Sequence, residues 1–413
     1  MSDVGPNQAV TVGPDQTDRA TRLVSTSQDT GRRLSTDRRP HWLAGVDWVL
    51  LAAVAALCVA GAVRVYAATR NGLVAQHRNP MAYLQRDLFN DAVGLLIAVP
   101  VALLPARLLR SYVPAFYAAV LLLLLVVLVP GVGSVINGAR AWFSLGIAQL
   151  EPSEFAKIAV VGMLAELLAR RQDNADQPGH RDVVLSLLGV GVPLLLILAE
   201  PALGIAVVVG LAALVALAIS GAPARWVAGL LLVGALGGAA AFQLHLLKPY
   251  QEQRFTAFTD ASSVSTPIGY QLHQSIIAIG SGGVTGNGFL SGGQTNGGFV
   301  PEQQTDFVFT VIGEEGGFIA CAGVLALFAV VSLRGLRIAR MATEPSSRVL
   351  AAGLVAWFAF QSFINVGMTV GLMPVTGVPL PFVSYGGSAI FAELLGVALL
   401  IGIGRDSARD AVQ

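Results

Sequence analysis

The residue best placed to do chemistry is Asp306, which ends a long polar stretch (residues 247–306) directly before an apolar run. A carboxylate that faces a pocket at the membrane–water boundary can act as a general base toward a lipid-linked substrate. An acidic residue at the start of a helix can also simply cap the helix N-terminus. Both interpretations of Asp306 are open at this stage.

Several other charged residues lie inside apolar runs. A charge within a membrane is costly, and it normally marks a functional site or an internal ion pair. Glu154 and Lys157 are three residues apart, so they share one face of a helix and would either pair or line a polar cavity. Arg64 lies near the outer end of the first span, so it is either functional or extends its charged group to the membrane interface. Glu200, Glu314, Glu315 and Glu393 are candidates for lining a cavity.

The elements that carry these residues are predicted to be membrane-spanning helices. Of the 413 residues, 54% are hydrophobic and 12% are charged, whereas a soluble domain carries roughly 25% charged residues. Apolar runs of about 20 residues match the thickness of the bilayer's hydrocarbon core. The sequence predicts an all-α polytopic membrane protein with about ten spans, near residues 46–68, 88–105, 112–130, 152–169, 183–199, 202–220, 224–246, 307–333, 349–371 and 386–404.

The distribution of basic residues predicts the orientation. If the N-terminus is cytoplasmic, most of the 26 Lys and Arg residues fall in cytoplasmic segments, as the positive-inside rule requires. Both termini are then cytoplasmic, and the loop 247–306 between the seventh and eighth spans lies outside. We expect residues 1–45 to form a disordered cytoplasmic tail, 46–404 the membrane domain and 405–413 a short cytoplasmic tail.

Two loops are suited to a substrate site. The loop 247–306 contains an amphipathic stretch, HQSIIAIGS, predicted to lie on the membrane surface, and glycine-rich turns that permit close backbone approach to a ligand. The loop 371–389, GLMPVTGVPLPFVSYGGSA, is uncharged and rich in Pro and Gly. Irregular backbone at membrane depth must be buried in protein or line a cavity, so residues near 374–388 are predicted to form a wall of the site.

Two classes of interaction are disfavoured. The net charge is +1 and no basic face is concentrated in the sequence, which argues against a nucleic-acid partner. Cys58 and Cys321 both fall inside apolar runs, so they are interpreted as small core residues rather than as a disulfide or metal ligands.

Five segments resemble signature motifs of the shape, elongation, division and sporulation (SEDS) family of bacterial membrane proteins. They are NGARAWFSLGIAQLEPSEFAK (137–157), YQEQRF (250–255), GYQLHQSIIAIGSGG (269–283), FVPEQQTDFVFTVIGEEGGF (299–318) and PLPFVSYGGSA (379–389). The resemblance runs from about residue 46 to 404. The stretches VYAAT, KPYQEQR and FVPEQ are more similar to the elongation branch of the family than to the division branch.

The resemblance implies a peptidoglycan glycosyltransferase that polymerises lipid II at the outer face of the bacterial cytoplasmic membrane, together with a class B penicillin-binding protein. The family's essential loop aspartate matches Asp306, which would take the proton from the attacking sugar hydroxyl in an inverting transfer. The diphosphate leaving group needs only charge stabilisation, from side chains or from a divalent cation such as Mg²⁺. The residues expected to contact the substrate are Glu154, Lys157, Arg140, Arg254, Glu314 and Ser384.

Three positions depart from the family pattern, although none removes Asp306. Ala202 replaces the usual aspartate after the fifth span, Gln304 replaces the usual histidine, and SSVSTP replaces Asp-Pro, with Asp260 displaced upstream. Two other functions stay open. A lipid II flippase would use the buried charges as a polar pathway, and a non-catalytic scaffold would activate the penicillin-binding protein. The placement of the distinctive loops on one side favours the transferase.

Overall fold

The apolar runs form helices. The computed structural model describes residues 45–136, 139–144, 149–169, 178–244, 249–259 and 266–410 and is 76% helical. The predicted tail 1–45 and the substituted segment with Asp260 therefore lie largely outside the described residues. In chain order the helices are α1 Trp48–Ala75, α2 Ala82–Leu103, α3 Ala106–Val127, α4 Pro152–Ala169, α5 His180–Ala199, α6 Leu203–Ile219, α7 Ala224–Gln243, α8 Pro249–Thr259, α9 Pro267–Ser281, α10 Gly293–Gly297, α11 Val308–Met341, α12 Pro345–Thr369 and α13 Gly387–Asp410.

The ten longest described helices, α1 to α7 and α11 to α13, coincide with the ten predicted spans, which confirms a polytopic helical membrane protein. Seven of them are long and apolar enough to cross a bilayer on their own composition, and α6 is apolar but shorter. The other two, α2 and α4, each carry three charged residues, among them the buried Asp87, Glu154 and Lys157. These three buried charges are accommodated by protein rather than by lipid.

Several helices are longer than the apolar runs that predicted them. Helix α1 extends to Ala75, α11 to Met341 and α13 to Asp410, where the sequence had indicated ends near 68, 333 and 404. The predicted C-terminal tail therefore begins as helix, and the buried Arg405 donates a hydrogen bond of 2.5 Å to Ala102 O. A hydropathy pattern ends at the first charges, whereas the backbone hydrogen bonds of a helix continue past them.

A small antiparallel sheet was not predicted. It joins α3 to α4 and consists of β1 Ser134–Ile136, β2 Ala139–Ser144 and β3 Gln149–Leu150 in the order β1-β2-β3. A β-bulge between Ser134 and Val135 shifts the register of β1 against β2. The sheet carries Arg140 on its central strand.

Helix α12 lies at the centre of the bundle, with Trp357 and Phe358 almost fully buried. Small residues allow its neighbours to approach closely, as in other membrane helix packings. A Cβ atom at Gly353 would overlap Val161 of α4, and one at Gly396 of α13 would come within 3.0 Å of Trp357.

Helices α1 and α11 run antiparallel and are joined by an ion pair at each end. Arg64 Nη1 lies 2.7 Å from Glu315 Oε2 near one end, and Arg334 Nη2 lies 2.7 Å from Asp47 Oδ2 near the other. Arg64, which the sequence left as either functional or extended to the interface, therefore forms an internal pair with Glu315, a predicted candidate for lining a cavity.

The glycine-rich turn packs against a break in α11. Gly317 has φ 67° and ψ −166°, which interrupts the helix, and the amide of Phe318 donates instead to Gly283 O at 2.9 Å. The amide of Asn287 in turn donates to Glu314 O at 2.9 Å. A Cβ atom at Gly317 would overlap the backbone nitrogen of Gly286. The glycines thus permit close approach to the chain's own backbone.

Substituting Gly317 by alanine should destabilise the fold. The positive φ is unfavourable for any L side chain and the methyl group has no space, so we expect a loss of about 1–3 kcal/mol or more. Gly323→Ala is the matched control, because it lies in the same helix and no described atom comes within 4 Å of where its methyl group would lie; it should be neutral or stabilising by up to about 1 kcal/mol. Thermal unfolding in detergent measures both, and equal melting temperatures for the two variants would contradict this explanation.

Candidate active site

Asp306 lies in the turn that precedes α11. The N-cap residue of α11 is Phe307, and no side chain of the described residues makes a capping hydrogen bond there. Asp306 is half-buried. Of the two interpretations of this residue, capping is therefore not what the carboxylate does.

The backbone of Asp306 and of the two preceding residues is bound by the irregular segment 374–386 and by α12. The amide of Tyr385 donates to Gln304 O at 2.9 Å, and the hydroxyl of Ser384 donates to Thr305 O at 2.5 Å. The amide group of Asn365 donates to Asp306 O at 2.9 Å. Three consecutive carbonyl groups are thus fixed, so the Asp306 side chain starts from a rigid backbone.

Arg254 reaches the same place from α8. Its Nη1 donates to Thr376 O at 2.5 Å. Gly377, with φ 71°, lies directly beside both charged groups, because a Cβ atom there would be 3.2 Å from Asp306 Oδ2 and 3.3 Å from Arg254 Nη2. The carboxylate and the guanidinium therefore lie close together over Gly377, and a larger residue at this position would intrude between them.

The surroundings of Asp306 raise its carboxyl pKa to about 6. Burial is the largest cause, and the negative charge of Glu302 adds to it, whereas the positive charge of Arg254 opposes both. A carboxyl group with this pKa is mostly deprotonated at neutral pH, yet it binds a proton more readily than an ordinary aspartate does. These are the properties that a general base needs.

Glu154 and Lys157 form an internal ion pair, which Gln361 links to the segment 374–386. Lys157 Nζ is 2.7 Å from Glu154 Oε2, 2.9 Å from Gln361 Oε1 and 4.8 Å from the centroid of the Trp357 ring. The side chain of Lys157 is 1% exposed. Its ammonium group is therefore occupied by protein contacts.

Gln361 connects the Glu154–Lys157 pair to the irregular segment 374–386 through hydrogen bonds. Its Oε1 accepts from Lys157 and also from Trp357 Nε1 at 2.6 Å. With the oxygen so engaged, the amide nitrogen faces the segment and donates to Pro379 O at 2.9 Å. Glu393 binds the next stretch by accepting from the amide of Phe382 at 2.7 Å. The segment is irregular and largely buried, as the sequence predicted for a wall of the site.

The other predicted contact residues lie elsewhere or are already engaged. Glu314 accepts from the amides of Gln294 and Thr295 at 2.7 and 2.8 Å and so caps the short helix α10. Ser384 Oγ also accepts from the amide of Leu380 at 2.8 Å. Arg140 donates to Leu128 O at 3.3 Å. Of the residues predicted to contact the substrate, only Arg254 has its charged group beside the Asp306 carboxylate in the described part of the chain.

Asn365, Gln361 and Gly377 were not among the residues predicted from the sequence. A signal for the two amides was present: Trp357, Gln361 and Asn365 recur at intervals of four along one face of α12. Gly377 carried no local signal, because the need for a glycine there arises from residues far away in sequence.

Near Ala202, one of the positions that depart from the family pattern, lies a buried carboxylate without a hydrogen-bond partner among the described residues. Glu200 is fully buried, and neither of its carboxylate oxygens has a hydrogen-bond partner among the described residues. Ala202 is the N-cap residue of α6 and provides no capping side chain. Within the described ranges no group of three or more His, Cys, Asp or Glu residues could hold a metal ion, so Mg²⁺ stays a prediction from the substrate's chemistry.

Lys157→Met should strongly destabilise the protein, because it leaves Glu154 buried without its counter-ion; such losses are about 3–5 kcal/mol. Adding Glu154→Leu should restore most of the stability, since the pair is then replaced by apolar groups. Melting temperatures of the single and double variants measure this. A single variant that melts like the parent chain but loses affinity for the lipid-linked substrate would instead support the substrate-binding role.

Comparison with known proteins identifies the family. The family model described as "Cell cycle protein", which covers FtsW, RodA and SpoVE, matches residues 48–409. The peptidoglycan glycosyltransferase MrdB of Escherichia coli (strain K12) is 36% identical over 320 residues, covering 78% of this chain and 85% of MrdB. The rod shape determining protein RodA of Thermus thermophilus has a TM-score of 0.65 at 32% identity, covering 89% of this chain and 99% of RodA.

A second solved structure shows the same likeness. It describes the structural coordination of polymerization and crosslinking by a peptidoglycan synthase complex, and one of its chains has a TM-score of 0.72 at 32% identity, covering 88% of this chain and 98% of that chain. The family match spans all ten long helices and both loops that form the site. The chain therefore belongs to the shape, elongation, division and sporulation family, and within that family it is RodA-like.

Proposed function

We propose that Asp306 is the general base with which this chain, a peptidoglycan glycosyltransferase like its relatives, polymerises lipid II for cell-wall elongation. The observation that carries the proposal is the placement of the carboxylate. Asp306 sits where the loop becomes helix, on a backbone fixed by three hydrogen bonds, with the Arg254 guanidinium beside it. The E. coli relative is named as a peptidoglycan glycosyltransferase.

The reaction needs few groups from the protein. The Asp306 carboxylate accepts the proton of the acceptor sugar's hydroxyl as that oxygen attacks the anomeric carbon of the donor. The bond from this carbon to the diphosphate breaks, and the polyprenyl diphosphate leaves with both electrons. Because the α-linked donor becomes a β-linked product, a single inverting displacement is sufficient. Arg254, whose guanidinium lies beside the Asp306 carboxylate over Gly377, would stabilise the negative charge that develops on the leaving group.

The proposed location is the bacterial cytoplasmic membrane, with the Asp306 end facing outward and both termini facing the cytoplasm. The opposite end of the bundle supports this orientation, because it is rich in arginines. Arg110 pairs there with Glu344, Arg334 pairs with Asp47, and Arg405 binds the carbonyl of Ala102. This clustering agrees with the positive-inside rule.

The proposed partner is a class B penicillin-binding protein, which cross-links the glycan strands that this chain makes. The support is the likeness to a chain from a peptidoglycan synthase complex that coordinates polymerization with crosslinking. No nucleic acid is proposed as a partner, and the membrane lipid is both solvent and source of the lipid-linked substrate.

The buried charged side chains that would suit a flippase bind other groups of this chain. Glu154 and Lys157 pair with each other, Glu315 pairs with Arg64, and Glu393 binds a backbone amide. A polar pathway would need such groups to face a continuous passage. Their engagement favours the transferase over the transporter.

Asp306→Asn should reduce the rate of lipid II polymerisation by about 10²–10⁴-fold, because the amide cannot accept the proton. Purified protein with its partner and labelled lipid II provides the assay, and the melting temperature reports folding. Glu302→Gln is the matched control, since it removes an exposed carboxylate four residues away; it should keep activity near the parent level at pH 7.5. Near-normal chain formation by folded Asp306→Asn would show that the base assignment is wrong.

The pH dependence should follow the Asp306 carboxyl. The base works when deprotonated, so activity should fall as the pH falls through about 6, the pKa of this group. Arg254→Gln removes the charge that lowers this pKa and should move the acid limb to higher pH. Glu302→Gln removes a charge that raises the pKa and should move the limb to lower pH. Rate profiles from pH 5 to 8 measure the shifts, and a limb that stays in place in both variants would contradict the assignment.

A further inference from the structure

An apolar cavity lies in the half of the bundle away from Asp306. It has a volume of about 230 Å³ and lies between α2, α3, α4, α12 and α13. Its walls include Leu109, Phe116, Ile158, Leu350 and Leu399. A free polar ligand has little to bind on such walls, whereas a hydrocarbon chain fits them.

The cavity is separate from the candidate active site. Ser346 and Ser347 line it at the first turn of α12, whereas Asn365, which binds the Asp306 backbone, lies near the last turn of the same helix. A helix of 25 residues spans roughly 37 Å. The two sites are therefore near opposite membrane surfaces.

At the end of the cavity near the start of α12, the lining residues include Arg110, Ser346 and Ser347. Arg110 donates to Ser346 Oγ at 2.9 Å and pairs with Glu344. The Nε of Arg110 is buried and has no hydrogen-bond partner in the part of the chain that the structure describes. Arg107, one turn earlier in α3, does not line the cavity itself; its side chain is 86% exposed, and its Nε lies 3.9 Å from Glu344 Oε1. One carboxylate, Glu166, is also among the lining residues.

We propose that this cavity binds an anionic glycerophospholipid from the leaflet at the Arg107 end. One acyl chain fills the apolar space, and the phosphate lies against Arg107 and Arg110. The combination of an apolar interior with basic side chains at one end matches both parts of such a lipid, and basic pockets between membrane helices on the cytoplasmic side are suited to anionic headgroups. The bound lipid connects α3 and α4 to α12, the helix that positions the site.

Gly162→Leu is the direct test, because Gly162 lines the cavity and a Cβ atom there would meet Val113 only at an ordinary contact distance of 3.5 Å. Gly191→Leu in α5 is the matched control, since no described atom lies within 4 Å of where its Cβ would be. Arg107→Glu provides a second variant that changes only the exposed cation. Native mass spectrometry of the full chain counts retained dioleoylphosphatidylglycerol, dioleoylphosphatidylcholine or undecaprenyl phosphate, each added at the same ratio.

The parent chain and Gly191→Leu should retain phosphatidylglycerol at least ten-fold more than phosphatidylcholine and should melt at a higher temperature with it. Gly162→Leu should lose most of this retention, and Arg107→Glu should lower it several-fold while melting normally without added lipid. Equal retention of both phospholipids, or unchanged retention in Arg107→Glu, would overturn the proposal. Displacement of phosphatidylglycerol by an equal amount of undecaprenyl phosphate would also overturn it, in favour of a polyprenyl site.

Discussion

Backbone that leaves a helix at membrane depth needs hydrogen-bond partners, because lipid offers none. The segment 374–386 has no regular secondary structure, and side chains from α12 and α13 meet this need. Gln361 binds Pro379 O, Asn365 binds Val378 O, and Glu393 binds the amide of Phe382, which has φ 63°. The arrangement around Asp306 depends on this one constraint, since the amide nitrogen of Asn365 that binds the segment also binds the carbonyl of Asp306.

The buried ion pair belongs to the same system. Lys157 and the Trp357 indole both donate to Gln361 Oε1, so the amide of Gln361 has only one useful orientation. Glu154 compensates the charge of Lys157 and adds no contact to the segment itself within the described residues. A charged pair inside the membrane thus serves to orient one neutral side chain, which in turn supports the wall beside the reacting groups.

The spans and the buried irregular segment could be predicted from the sequence, because they depend on the composition of each segment alone. Apolar runs must form helices in lipid, and uncharged Pro- and Gly-rich backbone at membrane depth must be buried. The position of Asp306 at the edge of a loop was likewise visible. The small sheet that carries Arg140 was not predicted, because its strands are short and are stabilised by pairing with each other, without a recognisable sequence pattern. The ends of α1, α11 and α13 were placed too early, since helices continue past their apolar cores.

What could not be predicted depends on contacts between distant segments. Arg254 and Asp306 meet only because α8 folds back toward the start of α11, and Gly377 leaves room for both because it has no side chain. Gly282 and Gly286, in the glycine-rich turn, lie directly against the backbone of α11, a contact that the sequence did not indicate. Sequence motifs indicated which segments matter, while the partner of each segment became visible only in three dimensions.

In the proposed reaction, the Asp306 carboxylate, held over Gly377, accepts the proton of the attacking hydroxyl. Infrared difference titration of the Asp306 carboxyl, with Asp306→Asn as the subtraction reference, measures its protonation directly. The midpoint should lie at the carboxyl pKa of about 6 and should coincide with the acid limb of the polymerisation rate. A carboxyl that titrates near the ordinary aspartate value of about 3.9, while the rate falls around a different pH, would contradict it.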